Sequence, residues 1–119
     1  MKTLRAFNTA TVLLSTILSP VMAQTITAEE AKNHLGEKTV VCGKVANEHT
    51  AANSRGKPTF IDLVSAYPNR IFTIVVWGED RPAVGEMPPV GIRVCAAGLI
   101  QDYRGVPQIA VWSKDQFRW

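Results

Sequence analysis

Arg55, Lys57, Arg70 and Arg104 are cations interleaved along this sequence with the flat rings of Tyr67, Trp77 and Tyr103. That combination suits a flexible polyanion carrying planar groups. Positive charge follows the backbone while the rings stack on the bases, each stack contributing about 1–3 kcal/mol. Thr73, on the same strand-like run as Trp77, adds a hydroxyl to the set. The plainer reading of each residue is also available. Loop arginines are usually solvated, Tyr103 can pack across its own turn, and Trp77 can cap a core.

Other chemistries find less support. Asp62, Glu79, Asp80 and Asp102, with Arg70, Arg81 and Arg104, are parts a metal-dependent nuclease could use, but Glu79-Asp80-Arg81 also reads as a turn after a strand. Catalysis further needs a positioned set, and neither a Ser/His/Asp nor a Cys/His arrangement is recognisable. His34 and His49 lack the close paired spacing of a zinc site, so no metal is expected. Gly78, Gly85 and Gly91 do not make a phosphate-cradling strand-loop-helix fingerprint, and no cofactor is expected.

Two features of the 119-residue chain set the compartment and the charge. Lys2 and Arg5 precede a mostly apolar stretch ending in Val21-Met22-Ala23, the small-x-small pattern of a secretory signal, so 1–23 reads as a signal peptide and 24–119 as one domain. The apolar part is too short and interrupted for a membrane span, and no membrane partner is expected after cleavage. Thirteen Lys and Arg lose Lys2 and Arg5, leaving eleven against ten Asp and Glu, a net charge near +1. A nucleic-acid reading must therefore rest on local clustering. In an oxidising compartment, periplasmic or extracellular, the two cysteines pair first as a Cys42–Cys95 disulfide.

The elements that must position these groups are mostly strands. Thr27-Ala-Glu-Glu30 is a capping box opening a short helix that Gly36 ends. Strands are expected over Lys38–His49, Thr59–Val64, Ile71–Trp77, Gly91–Asp102 and Val106–Ser113, with a hairpin turn at Asp102–Gly105. Phe72, Ile74 and Val76 share one face of the third, and Ile71, Thr73, Val75 and Trp77 the other. Val41, Gly43 and Val45 oppose Cys42 in the first, as Val94 and Ala96 oppose Cys95 in the fourth. If those two strands are neighbours, the sulfurs emerge on one side. Asp115–Trp119 brings Phe117 and Trp119 as a lid.

Five strands, the first and fourth bent at glycines, predict an all-β fold with a small helical contribution. The expected form is a five-stranded Greek-key barrel of the oligonucleotide/oligosaccharide-binding (OB) type with a short N-terminal helix. An open five-stranded sheet or half-sandwich is the alternative. The segments Val-Cys-Gly-x-Val from Val41, Gly-Lys-Pro-Thr-Phe-Ile-Asp-Leu from Gly56, Tyr-Pro-Asn from Tyr67 and Tyr-Arg-Gly-x-Pro from Tyr103 resemble small exported bacterial OB-fold proteins. These are similar to the tRNA-anticodon-binding OB domains. The resemblance spans most of Lys38–Trp112 and implies a nucleic-acid-binding module. Such barrels take ligands on the face of the second and third strands, between the loops joining strands one–two and four–five. Arg55, Lys57, Tyr67, Arg70, Thr73, Trp77, Tyr103 and Arg104 then become the expected binding set. Single-stranded nucleic acid is the leading partner; the alternative is a periplasmic structural role or a module that binds a protein or an oligosaccharide. Oligomeric state is left open.

Overall fold

In the computed structural model, which describes residues 24–119, the chain opens with a short strand β1 (Thr25–Thr27) and a 3-10 turn, Ala28–Asn33. There follow β2 (Lys38–Thr50), β3 (Thr59–Leu63), β4 (Thr73–Val76), a single helical turn α1 (Arg81–Val84), β5 (Arg93–Leu99), β6 (Gln101–Tyr103), β7 (Val106–Ala110) and β8 (Phe117–Arg118). The expected signal segment, 1–23, lies outside the described residues.

β2 is the spine. Its first half pairs antiparallel with β5, from Lys38 opposite Leu99 to Lys44 opposite Arg93, and parallel with β1 on its other side. Its second half pairs antiparallel with β3, and a register shift between Val45 and Asn47 bends the strand from one partner to the other. β3 pairs antiparallel with β4, and β4 runs parallel to β7. The circuit closes because β5 kinks at Ile100 and continues as β6, which pairs with β7. At the kink, the Ile100 N–H donates to Glu37 O and Ile100 O accepts from Gly36 N–H, so both backbone groups of Ile100 are paired at the break in the ladder. The result is an OB-type barrel, with β2, β3, β4, β5–β6 and β7 as its five staves.

Alternation along the strands sorts the side chains as their spacing dictates. Val41, Val45, Ile61, Leu63, Phe72, Ile74, Val76, Val94, Ala96 and Ile109 all point inward and are buried. Gly43 lets β2 pass close to the interior, since a methyl there would sit 3.2 Å from Leu63 Cβ. The first and fourth expected strands are neighbours, with Cys42 directly opposite Cys95. Their Cα atoms are 4.0 Å apart and the sulfurs are joined, on the face away from the core.

Four sequence expectations change in detail. The N-terminal helix is a 3-10 turn, although its Thr27–Glu30 capping box forms in full. The segment runs six residues, two turns at three residues per turn, and Gly36 at a φ of +86° follows close behind it. The expected strand Gly91–Asp102 is two strands, divided at Ile100 because barrel closure needs a corner there. The hairpin turn is the pair Arg104–Gly105, both at positive φ (52° and 86°), the geometry of a two-residue hairpin turn. Asp115–Trp119 is more than a lid: after a 3-10 turn at Lys114–Gln116, the two-residue strand β8 pairs with β5 at the barrel edge, and Phe117 packs on the core while Trp119 stays half exposed.

Candidate nucleic-acid interface

The outward face of β2, β3, β4, β7 and β6 carries the candidate site. Cross-strand register builds it in rows. One row is Asn47, Asp62, Thr73, Gln108 and Gln101; the next is His49, Phe60, Val75 and Ala110. Because β-strand neighbours in register share a face, these side chains stand together although they come from five segments.

Arg70, entering β4, stands on the ridge between two depressions in this face. One is lined by Phe60, Arg70, Thr73, Tyr103, Arg104, Val106 and Gln108. The other, of about 310 Å³, is lined by Asn47, His49, Phe60, Asp62, Tyr67 and Arg70 among others. The guanidinium carbon of Arg70 lies 5.3 Å from the Tyr67 ring centre, and that of Arg104 lies 5.2 Å from the Tyr103 ring centre. Each arginine is thus parked over a ring, within the range of a cation–π contact, while the rings themselves remain open to solvent.

Thr73 has a different environment from the one its strand position suggested. It is buried, and its hydroxyl donates to Asp62 Oδ1 at 2.9 Å. Asn47 reaches the other carboxylate oxygen at 3.5 Å. Thr73 and Asn47 therefore steady a buried carboxylate beneath the groove.

The expected site residues form two groups. Tyr67, Arg70, Thr73, Tyr103 and Arg104 gather at the end of the face where β4 begins. Arg55, Lys57 and Trp77 lie at the other end, beyond the Thr59–Val76 pair. There the loop between β2 and β3 is pinned to the turn after β4, Gly78 N–H donating to Gly56 O at 2.8 Å. A methyl on Gly56 would sit 2.9 Å from Cε3 of Trp77, so only glycine lets Arg55 and Lys57 flank that indole.

Phe60, Gln108, Asn47, His49 and Trp112 belong to the same face and were not among the expected residues. Period-two alternation put Phe60 and Gln108 opposite the core positions. The parallel β4–β7 pairing that brings Gln108 and Trp112 alongside has no local signal in the sequence. Of the carboxylates and arginines of the nuclease reading, Asp62, Arg70 and Arg104 fall on this face, while Glu79, Asp80 and Arg81 lie in the turn and helical turn after β4. Asp62 is held by Thr73, and Asp102 accepts from the Gly105 N–H within its own hairpin. Arg81 donates to Thr59 Oγ1 at 2.7 Å. Among the described residues no group of three or more His, Cys, Asp or Glu stands close enough to hold a metal ion.

No protein-family model matches the chain, and no curated protein matches it. Among solved structures it is similar to a Leishmania major Friedlin protein described as an aspartyl-tRNA synthetase. The TM-score is 0.53 at 12% identity, over 87% of this chain and 22% of that one. At such identity the likeness is one of fold, covering about a fifth of the larger protein. It agrees with the strand pairing: this chain is an all-β barrel of the OB type.

Proposed function

We propose that this protein is an exported OB-type binding module whose outward β3–β4–β7 face takes single-stranded nucleic acid. The observation that carries the reading is the pair of arginines, Arg70 and Arg104, each over a tyrosine and both lining one groove with Phe60. A base that slides onto either tyrosine displaces the guanidinium toward the phosphate it must neutralise, so stacking and charge pairing are set up together. A solved structure similar to this chain in fold carries the name of an aspartyl-tRNA synthetase, which suits the same reading. Export rests on the Lys2–Ala23 pattern, and the Cys42–Cys95 disulfide fits an oxidising compartment. No catalytic role is assigned.

The test is a salt titration. Oxidised protein and a fluorescent single-stranded oligonucleotide should bind at low salt and weaken as salt rises, because counterions are released on neutralising phosphates. Arg70→Ala and Arg104→Ala should each weaken binding and flatten that dependence. If wild-type protein ignores the oligonucleotide at low salt, the reading fails, and oligosaccharides and peptides become the ligands to screen.

A further inference from the structure

The outward face does not end at the grooves around Arg70. Register pairs Val75 with Ala110 in the parallel β4–β7 ladder. That last pair is closed by the Val111 N–H, which donates to Val75 O at 2.9 Å. Alternation then puts Trp77 and Trp112, two residues beyond Val75 and Ala110, at neighbouring positions on the same face. Both indoles are open to solvent, Trp77 40% and Trp112 58% exposed, where tryptophan is ordinarily far more covered. Neither position is loose. The Trp112 backbone N–H donates to Gln116 Oε1 at 2.8 Å, and the Trp77 indole is wedged against Gly56. Arg55 and Lys57 flank Gly56, so this end has the same composition as the Tyr103–Arg104 end: flat rings beside cations.

We infer that Trp77 and Trp112 form a second stacking station, and that one single strand runs along the barrel face from Tyr103 to Trp112. This inference rests on the nucleic-acid reading above. The occupant is set by continuity and charge: the two stations share one face, the apolar row of Phe60, Val75 and Ala110 lies between them, and cations edge both ends. Tyr103 is level with Val106, and Trp112 lies six residues further along β7. At 3.3 Å per residue the stations are about 20 Å apart. A dinucleotide then fills one station only. About four nucleotides, the smallest site size seen for such barrels, would reach both.

The experiment measures thymidylate oligomers of two, four and eight residues, by competition and by quenching of tryptophan emission. Wild-type affinity should climb steeply from the dimer to the tetramer and then level off. Trp112→Ala should abolish that step, weakening the octamer roughly tenfold, whereas Trp112→Phe, which keeps a ring, should retain most of it. Trp119→Ala should leave the affinity unchanged. If Trp112→Ala binds the octamer as wild type does while wild type itself binds, the second station is wrong and the nucleic-acid reading stands. If no oligomer binds wild-type protein at low salt, both fall together, and a protein ligand becomes the occupant to seek.

Discussion

A methyl group added to Gly98 would lie 2.7 Å from Cγ2 of Ile109, across the seam where β5 and β7 close the barrel. Ile109 is fully buried in the core, so it has little room to retreat. The seam has no regular ladder. Instead the Gln116 side-chain amide donates to Ala97 O at 2.9 Å and Ala110 O at 3.1 Å, substituting for two cross-strand bonds. Gly98→Ala should therefore destabilise by about 1–3 kcal/mol, the usual cost of overfilling a packed interior. For a domain of this size that lowers the melting temperature by about 4–8 °C for each kcal/mol. An unchanged melting curve would mean that the seam is looser than this contact implies.

Cys42 and Cys95 are 53 residues apart in sequence and directly opposed in the β2–β5 ladder. Closing a loop of that length should stabilise by about 2–4 kcal/mol, chiefly by restricting the unfolded chain. Reduction should raise the mass by two hydrogen atoms and lower the denaturant midpoint. The Cys42→Ala/Cys95→Ala variant should show the same lower midpoint with or without reductant. A midpoint indifferent to reductant in wild-type protein would contradict the bridge.

Glu48 gives the barrel a pH signature. Burial raises its carboxyl above the ordinary glutamate range, and the Arg81 charge opposes that rise only in part. A raised folded-state value means the protonated form is favoured on folding. The associated stability is present below pH about 4.3, the unfolded value, and is lost as pH climbs through the folded value. Glu48→Gln removes this titration. Its stability relative to wild type should thus be better at pH 7 than at pH 4, whatever the absolute cost of losing the Arg81 interaction. The opposite trend in paired urea melts would assign Glu48 to a net stabilising charge pair.

Much of this architecture could be read from spacing. The valine-glycine rows of β2 and the inward Phe72, Ile74 and Val76 follow from a period of two, and the Thr27–Glu30 box from capping chemistry. What could not be read depends on pairing between distant segments. The corner at Ile100 is invisible in a run that looks uniformly strand-like, because it exists to let one strand serve two partners. Thr73 looked like an open hydroxyl; only the Asp62 carboxylate delivered by β3 shows that it is already engaged. Trp112 was overlooked for the same reason, since its neighbour on the face is Trp77, 35 positions earlier in the chain.

Asp62 gives the sharpest test of which way a ligand lies. It is a buried carboxylate beneath the groove between Phe60 and Arg70, and its partners Thr73 and Asn47 are neutral. A phosphate about 8 Å from it would be repelled by about 0.5 kcal/mol at the dielectric constant of water and about 2 kcal/mol at an effective value of 20. Asp62→Asn keeps an oxygen for the Thr73 hydroxyl and removes the charge. Its cost to stability should be small, on the order of 1 kcal/mol for one altered hydrogen bond. If polyanion runs over this groove, the variant should bind single-stranded DNA severalfold more tightly at low salt, with the gain shrinking as salt rises. Asp62→Ala is the contrasting variant. It removes the same charge but leaves Thr73 Oγ1 and Asn47 without an acceptor, so it should lose stability whether or not DNA is present. Unchanged affinity in a well-folded Asp62→Asn protein would place the ligand's phosphates away from this groove and shift attention to the Trp77–Trp112 end.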